Sequence, residues 1–325
     1  MIRSIFNTSG AKYPVVLALV VALCVLNACG DAHDPRTDDV TTGGHVVILA
    51  DEDLRDLVEA ERFMFESIYK DALLDIRYLP ESQLLEAVMN DSVRCWIATV
   101  KPGGEQEAYY NKRNIKAEVV PIAIDGIAVL ANPVIELSSL SAGEVLHALT
   151  FPRTFSAKGW SRPEKDGPPG SPRPWFSSGG GGVARTLVDS LIGPVAEQRI
   201  AAMAESGLDS MVQRVADDAQ ALGFASFSSL SDLDNPRMKA LRDKVKLLAI
   251  SASDSSKAVL PNQSTLADGS YPLRRPVYMV LAEGKSGLGT GFVSFVANHK
   301  GQRIILKHGL APNKVPPREI EIVTQ

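Results

Sequence analysis

Short β-branched runs alternate with helically spaced segments through the first folded stretch of this chain, and that alternation narrows the fold most. Residues 45–50 (HVVILA) have the composition of a buried strand, and residues 51–70 follow with Leu54, Leu57, Val58, Phe63, Phe65 and Ile68 at broadly helical spacing. A strand at 74–79 leads through Pro80-Glu81 into a helix from Ser82, the expected N-cap, to about Asn90. Strand 93–100, helix 106–114 and strand 117–124 repeat the pattern. Strands separated by helices predict a largely parallel α/β sheet.

The pattern continues less regularly. Residues 125–132 (DGIAVLAN) read as a strand ending at Pro133, and Ser138–Ser141 precede a serine-capped helix running to Leu149. Residues 156–174, rich in glycine, proline and charge, read as an exposed loop. Helices are predicted over 183–191, 195–206 and 209–219, strands over 223–227, 245–250 and 276–281, and terminal helix over 291–299 continuing through 302–307.

The amino terminus carries a different signal. Arg3 and Lys12 precede an apolar run over 15–26 that is too short for the roughly 20 residues of a membrane-spanning helix. It ends in Leu26-Asn27-Ala28-Cys29, which resembles a bacterial lipobox whose cysteine is acylated after signal cleavage. Residues 1–28 are therefore expected to be a lipoprotein signal peptide, Cys29 the lipidation site and 29–44 a polar tether. Cys24 leaves with the signal, and Cys95, in an apolar stretch, reads as a small buried hydrophobe. Three cysteines exclude a disulfide scaffold, and a net charge of −4 argues against a nucleic-acid partner.

The strongest chemical motif is the run 177–182 (SSGGGG) before a helix. Glycine lets a backbone approach a ligand closely, so an anion cradle and a plain surface turn are both open readings. No Lys-Ser/Thr pair ends the run, which excludes a Walker loop, and Met279 stands where Gly284-Lys285-Ser286 would need an earlier glycine. The five histidines lack metal-ligand spacing, and nothing assembles a nucleophile, a base and an oxyanion hole. The expectation is a protein without enzymatic activity, metal or cofactor.

Four segments together carry a family resemblance: 119–133 (VVPIAIDGIAVLANP), 140–149, 269–278 (GSYPLRRPVY) and 291–312 (GFVSFVANHKGQRIILKHGLAP). They resemble the phosphate-binding, substrate-binding lipoprotein of bacterial phosphate ABC transporters, in a divergent form. The resemblance implies an α/β two-lobe periplasmic binding protein fold of type II, with two crossover strands near 122–127 and 271–277. Lobe 1 would comprise 45–122 plus 275–325 and lobe 2 residues 123–274, closing on ligand by a hinge.

Carried over by motif, the resemblance assigns ligand contacts to Ser82, Thr99, Asp125, Ser177, Ser178, Gly179, Gly180, Gly181, Gly182 and Arg185. Lys101 stands near the place of a family arginine, where the chain has Val100. Ala50-Asp51-Glu52 replaces the usual hydroxyl at the end of the first strand. The implied function is capture of phosphate or a related oxyanion for ABC permease subunits, by a monomer lipid-anchored in the cell envelope and facing the periplasm. The alternative is a sensory or structural envelope lipoprotein of the same fold with a degenerate cleft, to which the acidic pair Asp51-Glu52 points.

Overall fold

A computed structural model describes residues 39–90, 93–161, 170–177, 181–192 and 200–316. Cys29, Ser178, Gly179 and Gly180 lie outside the described residues, as do the signal and most of the tether.

The predicted alternation forms one flank of the main sheet. Strand β1 (Gly44–Asp51) lies parallel to β2 (Ala72–Leu79) on one side and β3 (Cys95–Ala98) on the other, with Ile48 opposite Ile76 and Leu49 opposite Trp96. Helix α1 (Arg55–Ile68) returns across this sheet with Leu57, Val58, Glu61 and Phe65 buried. Phe65 meets Phe292 and Phe295 edge-on at 5.4 Å between ring centres, favourable geometry for aromatic pairs. Helices α2 (Glu81–Ala87) and α3 (Gly104–Lys112) complete the alternation.

The two strands predicted over 117–124 and 125–132 are one 14-residue strand, β4 (Glu118–Ala131). Its first part pairs antiparallel with β11 (Arg274–Leu281), and its second part with β8 (Ala221–Ser226). Asp125 does not interrupt it, because Arg275 is its direct cross-strand partner and supplies the compensating charge. Beyond β4 come β5 (Ser139–Ser141), α4 (Ala142–Thr150), β6 (Arg173–Ser177) and α5 (Gly182–Leu187), which widens into a π-helical turn at Val188–Ile192. Then follow β7 (Met203–Glu205) and α6 (Leu208–Asp217). The resulting strand order is β2-β1-β3-β11-β4-β8-β6-β7, parallel within each flank and antiparallel through β11 and β4.

Several expectations are corrected. Residues 203–205 of the predicted helix 195–206 form β7, whose Met203 pairs with Trp175 at the sheet edge; residues 193–199 lie outside the described residues. The predicted strand 245–250 divides into β9 (Lys246–Leu247), against β4, and β10 (Ala249–Ser251), against β5, with Leu248 buried between the two sheets. The chain contains two unanticipated short helices, α7 (Pro236–Arg242) and α8 (Gln263–Ala267). The terminal helix is two, α9 (Leu288–Ala297) and α10 (His299–Lys307), broken where Asn298 turns extended and accepts from the His299 amide. Strand β12 (Ala311–Pro312) then adds to β4 beside the crossover.

Candidate functional site

The carboxyl ends of β1 and β3 face the start of α5, which follows β6 on the opposite flank of the sheet. β1 ends at Asp51, whose Oδ1 accepts the Asp53 amide at 3.1 Å and begins the 3-10 turn Glu52–Leu54. This side-chain cap is why the helix predicted from residue 51 starts only at Arg55. Thr99 stands one residue past β3 and is nearly buried.

Glu81 is buried at the first position of α2, and Pro80, rather than Ser82, precedes the helix as its cap residue. Glu81 shares the inner face of α2 with Leu84 and Val88, at spacings of three and four residues, whereas Ser82 points to solvent. That phase was available in the sequence. A glutamate opening a helix ordinarily reads as a solvated first-turn acid, which hid it.

Arg185 crosses from α5 to this group. Its Nε donates to Glu81 Oε1, and its Nη2 donates to Glu81 Oε2 at 3.2 Å, to Thr99 Oγ1 at 3.2 Å and to the Thr99 carbonyl at 3.3 Å. Thr99 Oγ1 in turn donates to Glu81 Oε2 at 2.9 Å. Asp189, one turn on in the same helix, takes Arg185 Nη1 at 2.9 Å. Gly182 is pressed against the same atoms. A Cβ there would stand 2.7 Å from Thr99 Oγ1, 2.8 Å from Glu81 Oε2 and 2.9 Å from Asp51 Oδ2. Gly181 has more room, with Asp53 Oδ2 3.7 Å from such an atom.

Below this group lies a second arginine that sequence reasoning did not single out. Arg275 is completely buried, its Nε donating to Asp125 Oδ2 at 3.0 Å and its Nη1 3.8 Å from Asp53 Oδ2. Leu273, Arg275 and Val277 are buried at alternate positions, so the strand period placed Arg275 inward. Its two terminal nitrogens and Asp51 Oδ2 make no hydrogen bond among the described residues. Asp125 also accepts from Ser226 Oγ at 2.7 Å and the Ser228 amide at 3.0 Å, which makes it part of the framework joining β4 and β8.

Burial dominates the acidity of this region. It holds the Asp51 carboxyl well above the ordinary range, reinforced by Asp53 and Glu81 and opposed by Arg275. Asp53 is likewise raised by burial, to about 6, with Arg275 opposing and Glu52, Asp125 and Glu81 adding to the rise. Five carboxyl groups, those of Asp51, Asp53, Glu81, Asp125 and Asp189, thus share two guanidinium groups, which favours protonation of Asp51 and Asp53.

The other expected contacts are dispersed. Lys101 is exposed and lies over the Tyr278 ring at 5.2 Å, outside the Arg185 cluster. Ser177 ends β6 and borders a cavity of about 180 Å³ between the lobes, together with Asp53, Asp56, Ser206, Ser229 and Arg237. Among the described residues no group of three or more His, Cys, Asp or Glu could hold a metal ion, and no helix is long and apolar enough to cross a membrane.

Comparison with known proteins agrees with this architecture. A family model described as a PBP superfamily domain matches residues 41–300. A phosphate-binding protein, PstS 2, from Streptococcus pneumoniae is 31% identical over 104 residues, 32% of this chain; the match spans only 30% of that relative's length. The fold resembles a Clostridium perfringens protein described as a phosphate ABC transporter substrate-binding protein and solved with bound phosphate. The two align with a TM-score of 0.66 and 19% identity, over 83% of this chain and all of the other. An ABC-type phosphate transport receptor from Vibrio cholerae aligns with a TM-score of 0.60 and 13% identity, over 82% of this chain and 99% of the receptor.

Proposed function

The chain belongs to the PBP superfamily, and from that premise we propose that it is an extracytoplasmic solute-binding protein of the phosphate ABC transporter type. It captures phosphate or a related oxyanion between its lobes and presents it to permease subunits. Lobe 1 comprises residues 45–122 plus 275–325 and lobe 2 residues 123–274. Cys29 carries the lipid that tethers the body to the envelope membrane.

The observation that supports this reading is the convergence of Arg185 and Gly182 from one lobe on Thr99 from the other. A cation, a hydroxyl and a close-approaching glycine backbone are the donors that a small oxyanion needs. The work is done by lobe closure, and no bond is made or broken. Thr99, Arg185, Gly181 and Gly182 are the contacts this geometry favours, with Ser177, Ser178, Gly179 and Gly180 on the same connection. Asp125 serves by holding Arg275 and the β4–β8 junction in place.

Calorimetric titration of the delipidated protein with phosphate, sulfate and arsenate tests the reading. Dissociation constants of about 1 μM or below for phosphate, an interaction of roughly −8 kcal/mol, support it. Heat-silent titrations with all three anions support the degenerate-cleft alternative. Replacing Cys29 with serine should abolish labelling by radioactive palmitate, and persistent labelling would remove the lipid anchor from the proposal.

A further inference from the structure

The Arg185 donors that an oxyanion would use are already taken by a carboxylate of the chain itself. Glu81 is buried and lies between the lobes, and both of its oxygens accept from Arg185. One of them also takes the Thr99 hydroxyl. Its Oε2 is also close enough to Gly182 that a Cβ on that residue would meet it at 2.8 Å. A planar carboxylate held by a guanidinium, a hydroxyl and a tight glycine approach has the same chemical surroundings as a bound oxyanion. It differs in being covalently part of lobe 1.

We propose that the Glu81 carboxylate is the cleft's internal anion, which latches the lobes together through Arg185 and must be displaced before an external oxyanion can bind. Glu81 then sets both the resting state and the selectivity of the cleft. The ligand-free protein rests closed, and an entering anion must outcompete a carboxylate whose local concentration is high because it is tethered. A second anion cannot share the site with Glu81 in place, since like charges at this separation repel in a buried setting. Anions that form bidentate pairs with arginine and carry more than one charge, such as phosphate or arsenate, therefore have the advantage over monovalent anions. The affinity consequence rests on the oxyanion reading above, whereas the latch does not.

The test pairs two measurements on purified wild-type, Glu81→Gln and Arg185→Ala proteins that each still unfold in one cooperative transition: the radius of gyration from small-angle scattering without ligand, and calorimetric titration with inorganic phosphate. Glu81→Gln should expand the ligand-free protein and tighten phosphate binding about tenfold or more, because the charge-assisted competitor is gone. Arg185→Ala should expand it equally while weakening or abolishing phosphate binding. Expansion of both variants with no phosphate binding in any protein would keep the latch and refute the oxyanion reading. A Glu81→Gln protein with unchanged dimensions and affinity would overturn the latch, and so would one that binds phosphate more weakly, since Glu81 would then be a ligand contact. Should Glu81→Gln fold poorly, Glu81→Ser, which keeps a polar group on α2, is read in the same way.

Discussion

Arg275 and Asp125 stand directly opposite one another across the antiparallel strands β11 and β4, both completely buried, joined by a 3.0 Å hydrogen bond. The pair lies where β4 and β11 run side by side, beneath the Glu81–Thr99–Arg185 group. Removing one partner of such a pair leaves an uncompensated buried charge, which costs about 3–5 kcal/mol. Asp125→Ala and Arg275→Met should each lower unfolding stability by that amount in urea melts. The double variant should lose less than the sum of the two, because neither charge is then stranded. Losses under about 1 kcal/mol for either single variant would mean that water reaches the pair.

Glu61 gives the fold a pH dependence of its own. It sits on the inner stripe of α1 beside Leu57, Val58 and Phe65, with neither carboxyl oxygen hydrogen-bonded among the described residues, and burial pushes its pKa from 4.5 up to about 9. Between those values the folded protein keeps a proton that the unfolded chain has released, so raising the pH favours unfolding. Relative to Glu61→Gln, the wild type should lose stability from about pH 5 to pH 9, by at most about 1.4 kcal/mol per pH unit, and then level off. Asp51 and Asp53 also carry raised values, but they are common to both proteins and cancel in the difference. A constant gap between the two proteins across that range would show Glu61 to be solvated.

Ser141 marks how far local sequence logic reached. A serine before an apolar helical run predicted the start of α4, and Ser141 Oγ accepts the Glu144 amide while Glu144 Oε2 accepts the Ser141 amide. Ser141→Ala should cost about 1 kcal/mol in thermal or chemical melts, the usual loss for a removed cap. An unchanged melting curve would indicate that the parallel pairing of β5 with β10, rather than the cap, fixes this helix start.

The strands and helices that build the sheet were legible because their cause is local: a β-branched run for β1, an apolar stretch for β3, apolar spacing for α1, a capping serine for α4. The boundaries that failed depend on partners distant in the chain. β4 runs through Asp125 only because Arg275 is 150 positions away in sequence and opposite it in space. Arg185 and Gly182 were named from the family resemblance, and the structure brings both against Thr99 and Glu81. Glu81 was not singled out, since its burial follows from an arginine 104 positions away. Ser82, adjacent to it, carried the motif but faces solvent.

The two described glycines of the Gly-rich run should behave differently, and that difference tests whether the run is a contact surface. Gly181 leaves space for a methyl group, its nearest neighbours being Asp53 Oδ2 at 3.7 Å and the Glu81 amide nitrogen at 4.0 Å. Gly182 leaves none: three polar atoms of the opposite lobe lie within 2.9 Å of the position its Cβ would take. Those atoms belong to Asp51, Glu81 and Thr99, which are held by buried hydrogen bonds or packing and cannot retreat cheaply. The lobes must therefore part to admit the methyl group. Gly182→Ala should expand the protein in solution and weaken phosphate binding about tenfold or more, whereas Gly181→Ala should leave both within about twofold. Gly182 is the first residue of α5, where alanine forms helix at least as readily as glycine, so an effect of this sign cannot come from a weakened helix. Equal behaviour of the two variants would mean that the lobes do not meet at Gly182 in solution.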